Sequence, residues 1–427
     1  MPASRSPFAG LRRAALLTCA LVALAGCQSR LRSNPLDPAN PSTGGGPTNF
    51  QALAGYGIVN LKWTASPGSS QLAGFLLERR RHGPNAYIAL GPVLPLTAAG
   101  FDDATVTNDL DYDYRLSYVQ PDGGISGTPV ERQARPGQEI AWVADPGADE
   151  VVRITPDGRA RVFSRGPVSS VNRLSVQLSG GEVWATAPID GRVRIWSVDG
   201  APLNSFNGLA EPNAIAVDPT SLTAWICEEL GPRARRWTAT GIAQATVAGV
   251  GNPTDVAITP GGGAWIVDQL KGQLLRVNSA GTPLDTVDVG SDPRRLAVDT
   301  LDGSVWVSRT TANEVVHVSA SGTILSRTPS LAGAYAIDID EFRNQVWVSL
   351  DGANAVQVLA RNDGSPNFRV TGLQHPRGLS VVDRTGECWV VAIQSHELVR
   401  IGSAGAIESR FDGFSAPFDV RVDPGPR

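Results

Sequence analysis

The chain has 427 residues, and its apolar fraction of 42% and charged fraction of 18% are those of folded globular proteins, so it is not a disordered chain. Its 46 glycines and 31 prolines suit a turn-rich, all-β protein. The net charge is −4, and the first 26 residues contain three arginines and no acid, so the remainder is more acidic still. A surface of this sign repels polyphosphate, and we expect no nucleic-acid partner.

The N-terminal residues have the order of a secretory signal. Arg12 and Arg13 precede the apolar stretch "AALLTCALVALA", which is too short to span a bilayer, and Leu24-Ala25-Gly26-Cys27 follows. This order resembles the bacterial lipobox. The resemblance implies that residues 1–26 are a signal peptide, that Cys27 is the lipidation site, and that the protein is held in the cell envelope by a lipid anchor. The alternative is a secretory peptide that happens to contain a cysteine.

Gln28 follows the cysteine, whereas an aspartate at this position often retains such lipoproteins at the inner membrane. We therefore expect an outer-membrane location, on the periplasmic or the surface face. Residues 29–49 are rich in Pro, Gly, Ser and Asn without any apolar period. This composition predicts a flexible tether over 27–49.

Residues 50–137 contain alternating apolar and polar segments, including "IVNLKWTA", "LAGFLLERRR" and Tyr112 to Val119. The stretch resembles a fibronectin type III sandwich, with Trp63 at the position of the core tryptophan and Tyr112 at that of the tyrosine corner. Phe75 stands where that family more often has tyrosine. The resemblance makes Trp63 and Tyr112 core residues.

From residue 138 onward, a sequence motif that contains a tryptophan recurs every 40 to 42 residues. Each unit contains a tryptophan strand such as "EVWATA", a polar loop, two further strands, and a strand such as "NAIAVDP" that leads to the next tryptophan. A period near 40 indicates a propeller or a solenoid. The repeated tryptophans are Trp142, Trp184, Trp225, Trp265, Trp306, Trp347 and Trp389.

The phase of the repeat favours a closed ring. The first unit begins with its tryptophan strand, and the chain ends with an unmatched "FDVRVDP", which can complete the first sheet. An open solenoid would leave both of these edges unpaired. We therefore predict an all-β protein in which a fibronectin type III sandwich (50–137) precedes a seven-bladed β-propeller (138–427) closed by its C-terminal strand.

The units resemble NHL and YVTN-type propeller repeats most closely at "AWVADPGADEVVRI" and "HPRGLSVVD". Such propellers bind proteins, sugars or RNA, or act as enzymes, so the resemblance implies the fold and leaves the function open. It places the seven tryptophans in a structural ring. Cys227 and Cys388 fall in tryptophan strands on opposite sides of that ring, too far apart to pair, and we expect two buried free thiols.

Candidate ligand-binding residues lie where loops surround the channel mouth. His375 and His396 are predicted on one face of one blade, with Arg377 beside them, and Arg294 occupies the same loop position as Arg377 two blades earlier. Arg173 and Asp419 begin the innermost strands of neighbouring blades. Ordinary ion pairs between blades are the alternative interpretation of these charges. The sequence has no recognisable metal-binding, cofactor or catalytic motif, so we predict no metal, no cofactor and no catalytic residue.

The function that these features favour is an envelope-exposed binding or scaffold protein that presents its propeller to a protein or polysaccharide. The alternative is a propeller enzyme with a metal at the channel mouth, because the repeat is also similar to virginiamycin B lyase. That family has a Pro-His-Gly sequence before its innermost strands. In this chain no histidine follows the corresponding prolines. The residues at that position are Asn213, Thr254, Arg294, Arg377 and Phe418.

A lactonase-like calcium site is the other form of this alternative. Lactonase propellers place Glu, Asn and Asp around calcium; Glu228, Asn252 and Asp292 can be proposed for these roles, but no spacing singles them out.

Overall fold

The computed structural model describes residues 37, 40, 45–66, 70–137, 139–177 and 180–423. The predicted signal peptide, Cys27 and most of the predicted tether lie outside these residues. The described part is almost entirely β-structure, and its one helical element is a 3₁₀-helix, Asp351–Ala353. Within the same ranges no helix has the length and apolar character needed to cross a membrane.

The chain divides into two compact units. The first contains the described residues up to Gln51 together with those of Leu61–Phe101 and Tyr112–Gln133. The second contains Ala52–Asn60, Asp102–Asp111 and the chain from Ala134 onward.

Seven strands precede the repeats: β1 (Gln51–Gly55), β2 (Ile58–Lys62), β3 (Gly74–Arg81), β4 (Ile88–Ala89), β5 (Gly100–Asp103), β6 (Tyr112–Val119) and β7 (Ile125–Ala134). They form a three-stranded sheet in the order β1-β2-β5 and a four-stranded sheet in the order β4-β3-β6-β7.

Aromatic rings form the core of the first unit. Trp63 is buried and meets Phe75 edge-on with 5.6 Å between ring centroids, and it meets Phe50 edge-on at 6.3 Å. Tyr112 is also buried. Such edge-to-face pairs add specific geometry to the burial of large apolar surface. Trp63 and Tyr112 therefore have the core positions expected from the sequence.

The repeats form seven four-stranded antiparallel sheets, numbered here from the one that contains Trp142. Sheet 1 contains β8 (Ile140–Asp145), β9 (Glu150–Ile154), β10 (Arg161–Arg165) and β35 (Asp419–Asp423). Sheet 2 contains β11 (Leu174–Gln177), β12 (Glu182–Ala187), β13 (Arg192–Trp196) and β14 (Pro202–Asn207). Sheet 3 contains β15 (Pro212–Val217), β16 (Thr223–Glu228), β17 (Arg233–Thr238) and β18 (Ala243–Ala248).

The remaining sheets repeat the pattern. Sheet 4 contains β19 (Pro253–Ile258), β20 (Ala264–Asp268), β21 (Gln273–Val277) and β22 (Pro283–Asp288). Sheet 5 contains β23 (Pro293–Val298), β24 (Val305–Arg309), β25 (Glu314–Val318) and β26 (Ile324–Thr328). Sheet 6 contains β27 (Ala334–Asp340), β28 (Gln345–Leu350), β29 (Ala355–Ala360) and β30 (Pro366–Thr371). Sheet 7 contains β31 (Pro376–Val382), β32 (Glu387–Ala392), β33 (Glu397–Ile401) and β34 (Ile407–Phe411).

The repeated tryptophans fill the space between adjacent sheets. All seven are fully buried, as predicted. Trp347 of sheet 6 packs with Leu379 and Val390 of sheet 7, and Trp389 of sheet 7 packs with Val420 of sheet 1. Burial of one such side chain removes ~150–250 Å² from water, worth about 4–6 kcal/mol at ~25 cal/mol per Å².

The innermost strands are β11, β15, β19, β23, β27, β31 and β35. Each contacts the innermost strand of the next sheet, and β35 contacts β11, so these contacts form a closed cycle. The C-terminal strand β35 pairs antiparallel with β8, and Arg421 lies opposite Trp142. The architecture of the repeats is therefore β-propeller-like. Cys227 and Cys388 are buried free thiols, which confirms that prediction, and burial raises the pKa of both.

Candidate functional site at the loop face

Two sets of loops come together at one face of the repeat unit. One set precedes the innermost strands, and the other follows the tryptophan strands. Backbone hydrogen bonds join the two sets within a sheet, from Gln269 N–H to the Asn252 carbonyl at 2.9 Å and from Ile393 N–H to the His375 carbonyl at 3.2 Å. We call this side the loop face. The opposite side, formed by the loops between innermost and tryptophan strands, is the hairpin face.

A buried ion pair joins the closing strand β35 to β11. Arg173 Nη1 donates to Asp419 Oδ1 at 2.9 Å, and the N–H of Leu174 donates to Asp419 Oδ2 at 3.0 Å. Both side chains are almost completely buried, at 3% and 0% exposure. The structure therefore brings these two candidate residues together as a link between the first and second sheets.

A similar but looser link joins β19 to β23. Asp255 Oδ2 accepts the N–H of Leu296 at 3.0 Å, while Arg295 Nη1 is 3.7 Å from Asp255 Oδ1. Arg295 also donates to the Thr254 carbonyl and to the Tyr335 hydroxyl. Burial raises the pKa of Asp255, and the positive charge of Arg173 opposes this effect.

His375 and Arg377 meet on a carboxylate of the neighbouring sheet. His375 Nδ1 lies 2.8 Å from Asp351 Oδ1, and Arg377 Nη2 lies 2.9 Å from Asp351 Oδ2. The Arg377 guanidinium also lies 4.6 Å from the centre of the Tyr335 ring, within cation–π range. Asp351 thus orients two of the predicted site residues.

His396 occupies a tight-turn position instead. Its φ is +57°, and the equivalent residues of other sheets include Asn313 and Asn354, with φ of +56° and +51°. Asparagine and histidine are among the residues that best tolerate this left-handed conformation. The loop that holds His396 is bonded to the loop that holds His375, but the His375 ring is directed to Asp351.

Arg294 lies apart from these residues. Its Nε is 3.1 Å from Asp292 Oδ1, and its carbonyl accepts the Thr254 hydroxyl at 3.2 Å. In the part of the chain that the structure describes, no recorded contact joins Arg294 to Arg173, Asp419 or either loop histidine. The six candidates therefore form separate clusters on the innermost strands and their loops.

An aromatic pair links two of these clusters and was not predicted. Tyr335 and Phe418 meet edge-on at 6.4 Å, and Arg377 lies within 6 Å of both ring centres. Arg173 faces the Phe418 ring at 5.8 Å. Tyr335 is the second residue of β27, and a large aromatic residue at that position was the only signal available in the sequence.

Exposed aliphatic side chains form a second feature of the loop face. Ile189, Leu230 and Leu270 occupy the second position of the loop after the tryptophan strand in sheets 2, 3 and 4. They are 76%, 57% and 76% exposed. The corresponding residues in the other sheets are small or polar: Gly147, Thr311, Gly352 and Gln394. Three adjacent sheets therefore each expose one aliphatic side chain at the same loop position, and we call this set of three residues the aliphatic patch.

Carboxylates are interspersed with this patch. Asp190 follows Ile189 and Glu229 precedes Leu230, and Glu211 lies in the loop whose carbonyl accepts the Glu229 N–H; all three residues are exposed. Lys271 is also exposed, but its ammonium group is bonded to the Gly249 carbonyl and lies 3.8 Å from Asp268. The exposed residues beside the aliphatic patch thus include three carboxylates, of which Asp190 lies 3.7 Å from Arg194 Nη2.

Across residues 45–66, 70–137, 139–177 and 180–423, no group of three or more His, Cys, Asp or Glu side chains could hold a metal ion. The Glu228, Asn252 and Asp292 set illustrates why. Glu228 is fully buried and pairs with Arg233 and Arg235, and Asp292 accepts Gln269 Nε2.

Comparison with known sequences gives short matches. No family model matches the chain. It is 27% identical over 151 residues to an amylopullulanase of Thermoanaerobacterium saccharolyticum and 26% identical over 152 residues to an amylopullulanase of Thermoanaerobacterium thermosulfurigenes. Each match covers 32% of this chain and 11% or 8% of the relative. The chain thus spans about a tenth of these curated relatives.

Comparison with solved structures shows the fold. A functionally unknown protein from Desulfotomaculum acetoxidans DSM 771 aligns with a TM-score of 0.59 and 13% identity, over 67% of this chain and 99% of that one. Virginiamycin B lyase from Staphylococcus aureus aligns with a TM-score of 0.51 and 18% identity, over 59% and 87%. A streptogramin B lyase aligns at 0.52 and 16%, with the same coverage. These likenesses support a β-propeller-like, all-β architecture and carry no residue roles to this chain.

Proposed function

We propose that this chain is a lipid-anchored binding protein of the cell envelope, whose loop face docks a protein partner through the aliphatic patch. In this proposal the seven sheets are the blades of one seven-bladed propeller closed by β35. The fibronectin type III-like segment and the tether are spacers from the membrane. The observation that carries the proposal is the exposure of Ile189, Leu230 and Leu270 at one loop position in three adjacent sheets.

The aliphatic patch has the chemistry of a docking site. Large side chains exposed singly are ordinary on protein surfaces, but grouped ones often mark an interaction site. Full burial of one leucine or isoleucine contributes ~1.5–3 kcal/mol, so three could anchor a complex of moderate affinity. The exposed carboxylates of Glu211 and Glu229 favour a partner with basic residues around an apolar centre.

The anchor is the second part of the proposal, and the lipobox sequence ending at Cys27 supports it. Acylation at this residue would hold the protein at a membrane, and we propose the outer membrane because Gln28 follows the cysteine. A protein partner would then be another envelope component.

Substitution of the aliphatic patch tests the docking proposal. The variant carries Ile189→Asp, Leu230→Asp and Leu270→Asp, and the control is Leu301→Asp, which changes a 65% exposed leucine on the hairpin face. A protein retained from envelope extract by the wild type is identified, purified and titrated against all three proteins. We expect the triple variant to bind at least a hundredfold more weakly, the control to bind normally, and affinity to fall with added salt.

Two outcomes contradict this function. Equal affinity of the purified partner for the triple variant would move the docking site elsewhere. Retention of a polysaccharide instead of a protein, unaffected by the substitutions, would replace the protein partner with a glycan. The enzyme alternative predicts that the protein consumes virginiamycin B, and we expect no such turnover.

A further inference from the structure

The innermost strands surround a cavity of about 980 Å³ at the centre of the repeats. In each sheet one innermost residue lies directly opposite the buried tryptophan of the next strand. These seven residues therefore occupy equivalent positions, and all of them line the cavity. In order around the ring they are Arg421, Ser175, Ala216, Ala257, Ala297, Asp338 and Ser380.

The ring is divided into an apolar arc and a polar arc. Sheets 3, 4 and 5 contribute Ala216, Ala257 and Ala297, and the other four sheets contribute the polar residues. Space near the axis of a propeller is short, and small side chains suit all seven positions. Asp338 and Arg421 depart from this rule, and they are oppositely charged.

These two charges do not neutralise each other by contact. Among the described residues, Asp338 has no basic group within 4.0 Å, and its carboxylate accepts the N–H groups of Ile339 and Val381 at 3.0 and 2.8 Å. The carboxylate nearest to Arg421 is that of Asp419, at 3.9 Å, and Asp419 is already bonded to Arg173. About a third of the Arg421 side chain is exposed, and it lines the cavity.

Ser380 lies on the strand between these two charged residues. Its Oγ accepts the Val422 N–H at 3.2 Å, which leaves the hydroxyl proton available for donation. Arg421 Nη1 donates to the Leu379 carbonyl at 2.9 Å, which holds the guanidinium against the same strand. The polar arc therefore offers a carboxyl group, a hydroxyl donor and a guanidinium group on successive sheets.

We propose that this cavity binds a small zwitterion with an apolar side chain, namely a free apolar amino acid or a short peptide. The ammonium group binds Asp338, the carboxylate binds Arg421 and Ser380, and the side chain packs against the alanine arc. A guanidinium is suited to a carboxylate because its N–H groups match the two oxygens. The cavity volume lies within the ~300–1,000 Å³ typical of small-molecule sites.

Calorimetric titration of the full mature chain tests the charge requirement first. The probes are L-leucine, isoamylamine, which lacks the carboxylate, and 4-methylpentanoate, which lacks the ammonium group. We expect leucine to bind and each one-charge analogue to bind at least tenfold more weakly. Leucyl-leucine is titrated in parallel, and whichever probe binds more tightly identifies the length of ligand that the cavity accepts.

Variants then test the named residues. Asp338→Asn and Arg421→Gln should each weaken leucine binding at least tenfold, and Asp338→Asn should leave 4-methylpentanoate binding unchanged. Ala257→Leu should weaken leucine while sparing glycine, because it fills the apolar arc. The control is Arg410→Gln, which changes an outer-strand arginine paired with Glu397.

The proposal is overturned if neither leucine nor leucyl-leucine binds the wild type. It is also overturned if isoamylamine binds as tightly as leucine, or if Asp338→Asn leaves leucine binding unchanged. Should Arg421→Gln fail to fold, the analogue series and the Asp338→Asn variant still decide the result.

Discussion

Replacement of Asp419 by alanine should weaken the whole repeat unit. Asp419 has no solvent exposure, and its two carboxylate oxygens bind Arg173 and the Leu174 N–H of the next sheet. Asp419→Ala removes both interactions where the closing strand meets the second sheet. It also leaves the buried guanidinium of Arg173 without its ion-pair partner.

The structure sets the size of the effect. Removal of one partner from a buried ion pair typically costs ~3–5 kcal/mol, because the remaining charge is uncompensated. Arg173 is 3% exposed, its Nη1 bonds Asp419, and its Nε and Nη2 have no hydrogen-bond partner among the described residues. We therefore expect Asp419→Ala to lower the free energy of unfolding by about 3–5 kcal/mol.

Asp255→Ala is the comparison variant, because Asp255 interacts with Arg173 through charge alone, whereas Asp419 forms the direct ion pair. Asp255 binds the Leu296 N–H in the same way, but Arg295 lies 3.7 Å away and keeps its bonds to the Thr254 carbonyl and the Tyr335 hydroxyl. The free energy of unfolding should fall by about 1–3 kcal/mol, the cost of leaving the buried Leu296 N–H without a hydrogen-bond acceptor.

Urea unfolding followed by tryptophan fluorescence measures both losses. Addition of Arg173→Met to Asp419→Ala should recover part of the stability, because it removes the uncompensated charge. A loss for Asp419→Ala no larger than that for Asp255→Ala would refute the view that this ion pair secures the ring closure.

Three further predictions concern the closing strand, the anchor and a titrating carboxyl group. Deletion of residues 414–427 removes β35 and uncovers Trp142, so the thermal transition of the whole repeat unit should shift downward; an unchanged melting temperature would contradict closure. Cys27→Ala should move the protein from the membrane fraction to the soluble periplasm, and continued sedimentation with palmitate labelling would refute the lipobox assignment. Burial, with the nearby Asp338 and Glu341 charges, raises the pKa of Asp383 to about 7. This raised pKa favours the protonated folded state, so its stabilising effect is present in acid and is lost as the pH rises from about 4 through 7. Asp383→Asn should therefore be more stable than the wild type at pH 8, as denaturant titrations at pH 5 and 8 would show, and equal stability at pH 8 would contradict the shift.

The architecture of the repeats could be predicted because the tryptophan period fixes the place of each strand. One tryptophan every 40 to 42 residues locates the second strand of each sheet, and the alternation in "AIAV" locates the innermost one. The unmatched C-terminal segment "FDVRVDP" predicted a pairing with the first sheet. The structure shows this pairing between β35 and β8. The strand positions and the ring closure follow from the repeat period and the alternation of apolar residues, and both can be read from the sequence.

The details of the loop face could not be predicted in the same way. His375 and Arg377 were visible as neighbours, but their shared partner Asp351 lies in another sheet, and its contact depends on loop side-chain directions. Tyr335 was missed because an aromatic residue at the start of an innermost strand breaks the repeat.

The two proposed sites show a similar limit of pattern analysis. Ile189, Leu230 and Leu270 occupy one loop position in three sheets. An aliphatic side chain in a turn can also be buried, so only the structure shows that these three are exposed. That Asp338 and Arg421 occupy equivalent positions was visible only from the strand pairing, which places each of them opposite a repeated tryptophan.

Hydrogen–deuterium exchange of the protein alone and in complex with its purified envelope partner tests docking at the loop face most directly. Exchange should slow at 188–191, 229–232 and 269–272, the loops that carry the aliphatic patch. Loops of the hairpin face, such as 218–222 and 299–304, should exchange at unchanged rates. Protection confined to the hairpin face or to residues 50–133 would contradict the proposed function.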